Sequence, residues 1–219
     1  HGLTFAQYGY KTIEEINRNL TYIQNGSFPP PTETGAHFRY EALALYGTGF
    51  LKRRFRLQII DYAGEHLDEF NLSSDKWLHR SDFFDYVLSS DALIIMLDCE
   101  RLLAKDEPNL IHNFENVIVA TLHQLIQERS KDPTNLFDNP VALLLSKSDV
   151  IQSDDDYKYI IQRLDRLISV CVSRFRYFRY FYVSSTGTTP IVNIDGTKAP
   201  PKELKPKGIV EPILWLLGH

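Results

Sequence analysis

Sulfur is scarce in this sequence: among 219 residues only Cys99 and Cys171 are cysteines, and Met96 is the sole methionine. Two cysteines are too few for a disulfide framework, so two buried free thiols in a reducing, cytoplasmic setting are the expectation. Long apolar runs are missing too. Ala92 to Leu97 and Val141 to Leu145 are the longest stretches, far short of the ~20 residues a membrane helix needs. No membrane span is expected, and no signal peptide is visible. Charge of one sign is also lacking, since 24 Lys and Arg stand against 28 Asp and Glu. The formal net charge of −4 gives no general pull toward nucleic acid or anionic lipid. His37, His66, His79, His112 and His123 have no zinc-type spacing with cysteine, and no Gly-x-Ser-x-Gly elbow of a hydrolase occurs.

What is present is the composition of a globular protein, 43% hydrophobic and 24% charged. The length suits one α/β domain, residues 1–219, with a substantial core. Ile13, Ile16, Leu20 and Ile23 recur at helical spacing and predict a helix from about Lys11 to Gln24, ended by Asn25-Gly26. Pro29, Pro30 and Pro31 then exclude helix, and Phe28 to Gly35 reads as an extended loop. Phe38 to Tyr46 and Phe55 to Ile60, joined by Gly47-Thr48-Gly49, predict an antiparallel hairpin.

A helix is expected around Ser81 to Leu88, and Ala92 to Leu97 has the unbroken apolar character of a strand buried on both faces. A long helix from about Asn109 to Glu128, a second such strand at Val141 to Leu145, a helix from Tyr157 to Val172 and a third strand at Tyr180 to Val183 follow. Thr186 to Gly208 reads as an ordered excursion, and Ile209 to Leu217 as a terminal helix. Buried strands alternating with helices predict a mostly parallel sheet with helices on both faces, approached through one antiparallel hairpin.

Ligands of open α/β sheets bind beyond the carboxyl ends of the strands. Three strand ends carry chemistry here: Asp61-Tyr62-Ala63-Gly64-Glu65, Ser146-Lys147-Ser148-Asp149 and Ser184-Ser185-Thr186-Gly187. Taken alone, the first has a plainer reading as a strand-to-loop turn, and the second as a helix start. In their order, each following an apolar strand, they resemble three motifs of the Ras-like GTPases: the third, Asp-x-x-Gly, at Asp61 and Gly64, the fourth, usually Asn-Lys-x-Asp, at Ser146, Lys147 and Asp149, and the fifth at Ser184 and Ser185. The Pro-Pro-Pro-Thr-Glu-Thr loop sits where the first switch of that family would be. The pattern is also similar to large bacterial GTPase-like domains of the translation-factor-related (TRAFAC) class, and it covers nearly the whole chain.

The resemblance implies a three-layer nucleotide-binding fold, GTP as ligand and Mg²⁺ as cofactor. Asp61 would hold the metal directly or through water, together with a threonine of the first switch, Thr32 in preference to Thr34. Gly64 would let its backbone N–H approach a γ-phosphate, which makes the following segment a sensor of hydrolysis. Asp149 would accept two hydrogen bonds from the guanine edge. Lys147 would lie along the base, while Ser184, Ser185 and Thr186 would present backbone and hydroxyl groups to it. A protein effector or activating partner is expected of such a switch.

Two features depart from the family. Gly-x-x-x-x-Gly-Lys-Ser/Thr is absent from the sequence, and with it the N–H cradle, the phosphate lysine and a Mg²⁺ ligand. Either that loop and its strand precede His1, with His1 to Tyr10 an inserted strand or loop, or the protein is a pseudo-GTPase that acts as an interaction module. The first is the preferred expectation. Glu65 stands where many Ras-like proteins place a water-orienting glutamine. It can accept from water but not donate, and its charge lies beside the γ-phosphate, so slow hydrolysis is expected. His66 is a candidate substitute. Ser146 in place of asparagine loses an amide that braces the pocket. An ATP-using enzyme is the remaining alternative, favoured if Asp149 points away from the site.

Weaker signals have simpler causes. The alternating run Arg174 to Tyr180 imitates a single-strand nucleic-acid platform but also fits the approach to a buried strand, and no nucleic acid is expected. Asp154, Asp155 and Asp156 suit the first turn of a helix. Trp77 and Trp215 are expected to anchor packing.

Overall fold

In a computed structural model the described residues are 3–30, 37–47, 53–62, 82–104, 108–129, 136–194 and 196–219. The chain divides into two compact units, His1–His66 with Pro190–Leu204 and Leu67–Thr189 with Lys205–His219.

The first unit holds strand β1 (Leu3–Gln7), helix α1 (Tyr10–Gln24), and strands β2 (His37–Tyr46) and β3 (Arg53–Tyr62). The hairpin is antiparallel as expected, with His37 opposite Tyr62 and Tyr46 opposite Arg53. β1 occupies the other edge of β2 in antiparallel register, Leu3 opposite Tyr46. The hairpin is therefore part of a three-stranded sheet of its own, β1-β2-β3. Helix α1 starts at Gly9, whose φ of 89° favours glycine. Its Thr12 is buried and accepts a hydrogen bond from the Glu41 N–H of β2 at 3.0 Å. The apolar stripe that predicts this helix is less covered than its periodicity implies: Ile13 is 39% and Leu20 46% exposed. The excursion after Thr186 contributes a two-stranded ribbon to this unit, β7 (Ile191–Val192) and β8 (Lys198–Ala199).

The second unit is built on strands β4 (Leu93–Asp98), β5 (Val141–Ser146) and β6 (Phe178–Tyr182), all parallel, in the order β4-β5-β6. Its helices are α2 (Asp82–Ser89), α3 (Cys99–Leu103), α4 (Pro108–Arg129), α5 (Asp154–Arg163), α6 (Asp165–Arg174) and α7 (Val210–Leu217). Alternation along β5 sends Val141, Leu143 and Leu145 into the main core with Leu122 and Leu125 of α4, Ile160 of α5, and Leu167 and Cys171 of α6. Ala142, with Phe181 of β6, joins a second cluster against Trp215 and Leu216 of α7. The central strand is therefore covered by helices on both faces, which is why it reads as an unbroken apolar run. Each such buried leucine or isoleucine contributes roughly 1.5–3 kcal/mol.

The single helix expected over 157–172 is two helices, α5 and α6, meeting at Leu164. The buried carboxylate of Glu115 on α4 accepts the Leu167 N–H at 2.9 Å and so caps the start of α6. Helix α5 begins in a capping box: Ser153 Oγ accepts the Asp156 N–H and Asp156 Oδ2 accepts the Ser153 N–H. No helix among the described residues is long and apolar enough to cross a membrane.

Candidate functional site

Parallel pairing of β5 with β6, Leu145 opposite Tyr182, brings the carboxyl ends of the two strands out side by side. The Val183 N–H donates to the Leu145 carbonyl at 2.9 Å, and the Ser148 N–H donates to the Val183 carbonyl at 3.0 Å. The chain leaves β5 through Lys147, whose φ of 53° and ψ of 38° are left-handed. It is the one non-glycine residue with positive φ among the described residues. That conformation costs an L-residue about 1–2 kcal/mol, and such strain gathers at functional sites. A short 3₁₀ turn, Ser148–Val150, then carries Asp149 back toward the end of β6.

There the Ser184 hydroxyl donates to Asp149 Oδ1 at 2.5 Å and accepts the Gly187 N–H at 2.8 Å. Ser184 is 1% exposed and braced through its backbone, its N–H and carbonyl both bonded to Lys207 at 2.9 Å. Two glycines allow this close approach. At Gly187, with φ 73°, a Cβ would lie 1.7 Å from the Lys205 carbonyl oxygen; at Gly208, with φ 67°, it would lie 2.2 Å from that of Tyr182. Thr186 is buried, with its hydroxyl 3.5 Å from Ser184 Oγ and its carbonyl accepting the Lys205 N–H. Of the three residues, Ser185 is the exposed one. Asp149 is half-buried. Its Oδ1 keeps a second lone pair, and Oδ2 is outside the Ser184 bond.

The same rim continues onto β4, where Asp98 pairs in register with Ser146. Ser146 Oγ donates to the Leu97 carbonyl at 3.0 Å, tying the two strand ends together. Lys147 Nζ meets Asp98 Oδ2 at 2.7 Å and Glu100 Oε2 at 3.0 Å. Burial pulls the Lys147 ammonium downward in pKa, but the hydrogen bonds and charges of Asp98 and Glu100 outweigh it and hold it above the ordinary lysine value. Asp98 Oδ1 also accepts the Glu100 N–H at 2.8 Å, as N-cap of α3. The buried Cys99 thiol beside it is pushed up to about 12, first by burial and then by the charges of Asp98 and Asp149.

Ser146, Lys147, Asp149, Ser184, Ser185 and Thr186 thus share one rim. Asp98 and Glu100 belong to it as well and are absent from the sequence expectations, although Asp98 stands at the end of an apolar strand like the others. Thr32, Gly64, Glu65, His66 and Trp77 lie outside the described residues, and so does the side chain of Asp61, whose backbone is in β3 opposite Phe38. Among the described residues no group of three or more His, Cys, Asp or Glu side chains is placed to hold a metal ion.

The Arg-aromatic run is accounted for locally. Phe175 is buried against Phe137, Arg176 pairs with Asp138 at 3.1 Å, Tyr177 stacks on His219, and Arg179 lies 5.1 Å from the Phe181 ring. Trp215 packs edge-on to Phe181, as a packing anchor should.

No curated protein and no solved structure matches the chain. A model of one protein family, Double-GTPase 2, does match, over residues 2–195. That span takes in all the strand-end motifs, and the chain belongs to the Double-GTPase 2 family of GTPase-related domains.

Proposed function

We propose that residues 1–219 form a single guanine-nucleotide-binding domain of a slow, Mg²⁺-dependent GTPase that works as a switch. The observation that carries this reading is the Asp149 carboxylate, presented at the end of β5 and held there by the Ser184 hydroxyl. A carboxylate with free lone pairs on both oxygens accepts the ring N–H and the exocyclic amine of guanine together. Adenine offers an acceptor at the ring position and a C–H in place of the amine, so both bonds are lost and two acceptors face each other. Lys147 would lend its apolar stem to the face of the base, with Ser146 fastening the strand end and Ser184, Ser185 and Thr186 bordering the base. Family membership and the motif order support guanine over other bases.

The phosphate end rests on motif alone. Thr32 and Asp61 would supply hard oxygens to Mg²⁺, Gly64 a backbone N–H to the γ-phosphate, and Glu65 or His66 the contact to attacking water. With a carboxylate at Glu65, hydrolysis would be slow and the GTP state long-lived, which suits a switch read by a protein effector. One observation favours a second reading, a binding module without catalysis: the sequence has no Gly-x-x-x-x-Gly-Lys-Ser/Thr.

Titration with GTP and with ATP, followed by calorimetry and by amide chemical shifts that register weak binding, tests the proposal. Wild type should prefer GTP by at least tenfold, and Asp149→Ala should erase the preference. Equal affinity of wild type for the two nucleotides would remove guanine recognition. A clear GTP preference with no phosphate release in the presence of Mg²⁺ would select the binding module.

A further inference from the structure

We propose that Asp98, seconded by Glu100, is a positioning residue for the base-recognition loop: it holds Lys147 extended across the rim before any nucleotide arrives. The inference rests on the guanine-binding reading of the same rim. Asp98 divides its two oxygens between two tasks, Oδ1 accepting the Glu100 N–H to start α3 and Oδ2 meeting Lys147 Nζ at 2.7 Å. Glu100, delivered by the first turn of α3, closes the other side of the ammonium at 3.0 Å.

The need for such a device follows from the chain itself. Lys147 sits in a left-handed conformation that its side chain disfavours. A free lysine side chain samples many rotamers, so an unanchored Lys147 would have to be ordered at the moment of binding. Anchoring its head on β4 and α3 settles that ordering during folding, and preorganisation of this kind raises affinity without any new contact to the ligand. The anchored stem spans from the end of β5 to the end of β4, leaving its methylenes to face a base held by Asp149. Asp98 and Glu100 therefore act on nucleotide through Lys147.

Asp98→Asn isolates the charge, because asparagine caps a helix as well as aspartate does. GTP and GDP affinities should both fall about fivefold to tenfold in Asp98→Asn, since the effect is at the base and not the γ-phosphate, and less in Glu100→Gln. In a Lys147→Met background, Asp98→Asn should cause no further loss. A merely structural role for Asp98 would instead persist in that background. Wild-type binding of GTP with unchanged affinity in Asp98→Asn, or a double variant weaker than Lys147→Met alone, overturns this inference and leaves guanine recognition standing. Failure of wild type to bind GTP at all overturns both.

Discussion

The two units of the chain hold their strands by different means. In the unit of β4, β5 and β6, the central strand is sealed from both sides, with Val141, Ala142, Leu143 and Leu145 all at 0% exposure. In the segment β1 to β3 of the other unit, Thr12 and Ala44 are the only buried residues among those described, and Phe5 and Ile59 are 44% and 46% exposed. There the ladder and side-chain bonds to Glu41, from Arg56 at 3.1 Å and Gln58 at 3.0 Å, do more of the holding. The difference bears on recognition. On the proposed reading, telling guanine from adenine demands a carboxylate fixed in direction before the base arrives, and a strand clamped on both faces gives its terminal residues a fixed origin. The bonds of Ser146 to the Leu97 carbonyl and of Ser184 to Asp149 extend that rigidity from the strand backbones to the side chains.

Truncation of one apolar side chain in each sheet gives the largest expected contrast. Leu143→Ala, at the centre of β5, should cost roughly 2–5 kcal/mol, because the closely packed core around it cannot fully collapse. Ile59→Ala in β3 removes a side chain that is nearly half exposed, and its cost should stay under about 1 kcal/mol. Urea unfolding curves of the two variants measure this directly. Similar midpoint shifts would mean that the antiparallel strands depend on core burial as heavily as the parallel ones.

This contrast also explains what could be read from sequence. The run Val141 to Leu145 announces a strand because both faces are buried, whereas Ala92 to Leu97, which reads the same way, leaves Ile94 42% and Met96 62% exposed on one face; the carboxyl-end rule then points to Ser146, Lys147 and Asp149, and after β6 to Ser184. The pairing of Ser184 with Asp149 could not be read, since it depends on which strands are neighbours and on close approach at Gly187 and Gly208. Asp98 escaped for a related reason: an N-cap before a five-residue helix leaves little periodic trace, and its partner Lys147 lies far along the chain. The break at Leu164 is set by the buried Glu115 of a different helix, so no local pattern in 157–172 reveals it. The helical spacing of α1 is real, but periodicity reports the helix and not what covers it, and Ile13 and Leu20 show that the two can part.

Glycine substitution sharpens the comparison at the next level of effect. Gly187 and Gly26 both have positive φ, at 73° and 77°, so alanine incurs a similar backbone penalty at each, about 1–2 kcal/mol. Only at Gly187 does the new Cβ meet anything, the Lys205 carbonyl oxygen at 1.7 Å; at Gly26 nothing lies within 4 Å. Gly187→Ala should therefore cost roughly 2–4 kcal/mol, adding overpacking to strain. It should also raise hydrogen exchange at the Ser184 and Lys207 amides, whose bridge the displaced segment would open. Equal destabilisation by Gly187→Ala and Gly26→Ala would show that the segment 205–208 yields readily and does not brace Ser184.

The smallest expected effect separates the two units by pH. Lys147 carries a raised pKa, so its pairing with Asp98 and Glu100 stabilises the fold fully below the ordinary lysine value of ~10.4 and is lost as pH climbs through the raised one. Because its side chain is 52% exposed, solvent screens the pair and limits it to at most about 1 kcal/mol. Glu41 has the opposite sign. The hydrogen bond from Gln58 lowers its carboxyl first, burial opposes, and Arg56 and the charge of Arg39 add to the lowering. Its contribution is present above the usual carboxylate range and fades as pH falls through the depressed value. The stability difference between wild type and Lys147→Met should accordingly shrink toward zero above pH ~10.4 and hold steady around neutral pH, while that between wild type and Glu41→Gln should be unchanged at high pH and shrink in acid. Thermal midpoints of the three proteins across pH measure both differences at once. A Lys147 difference unchanged at high pH would mean that the side chain acts through its stem and not its charge, which would also weaken the case for Asp98 as its anchor.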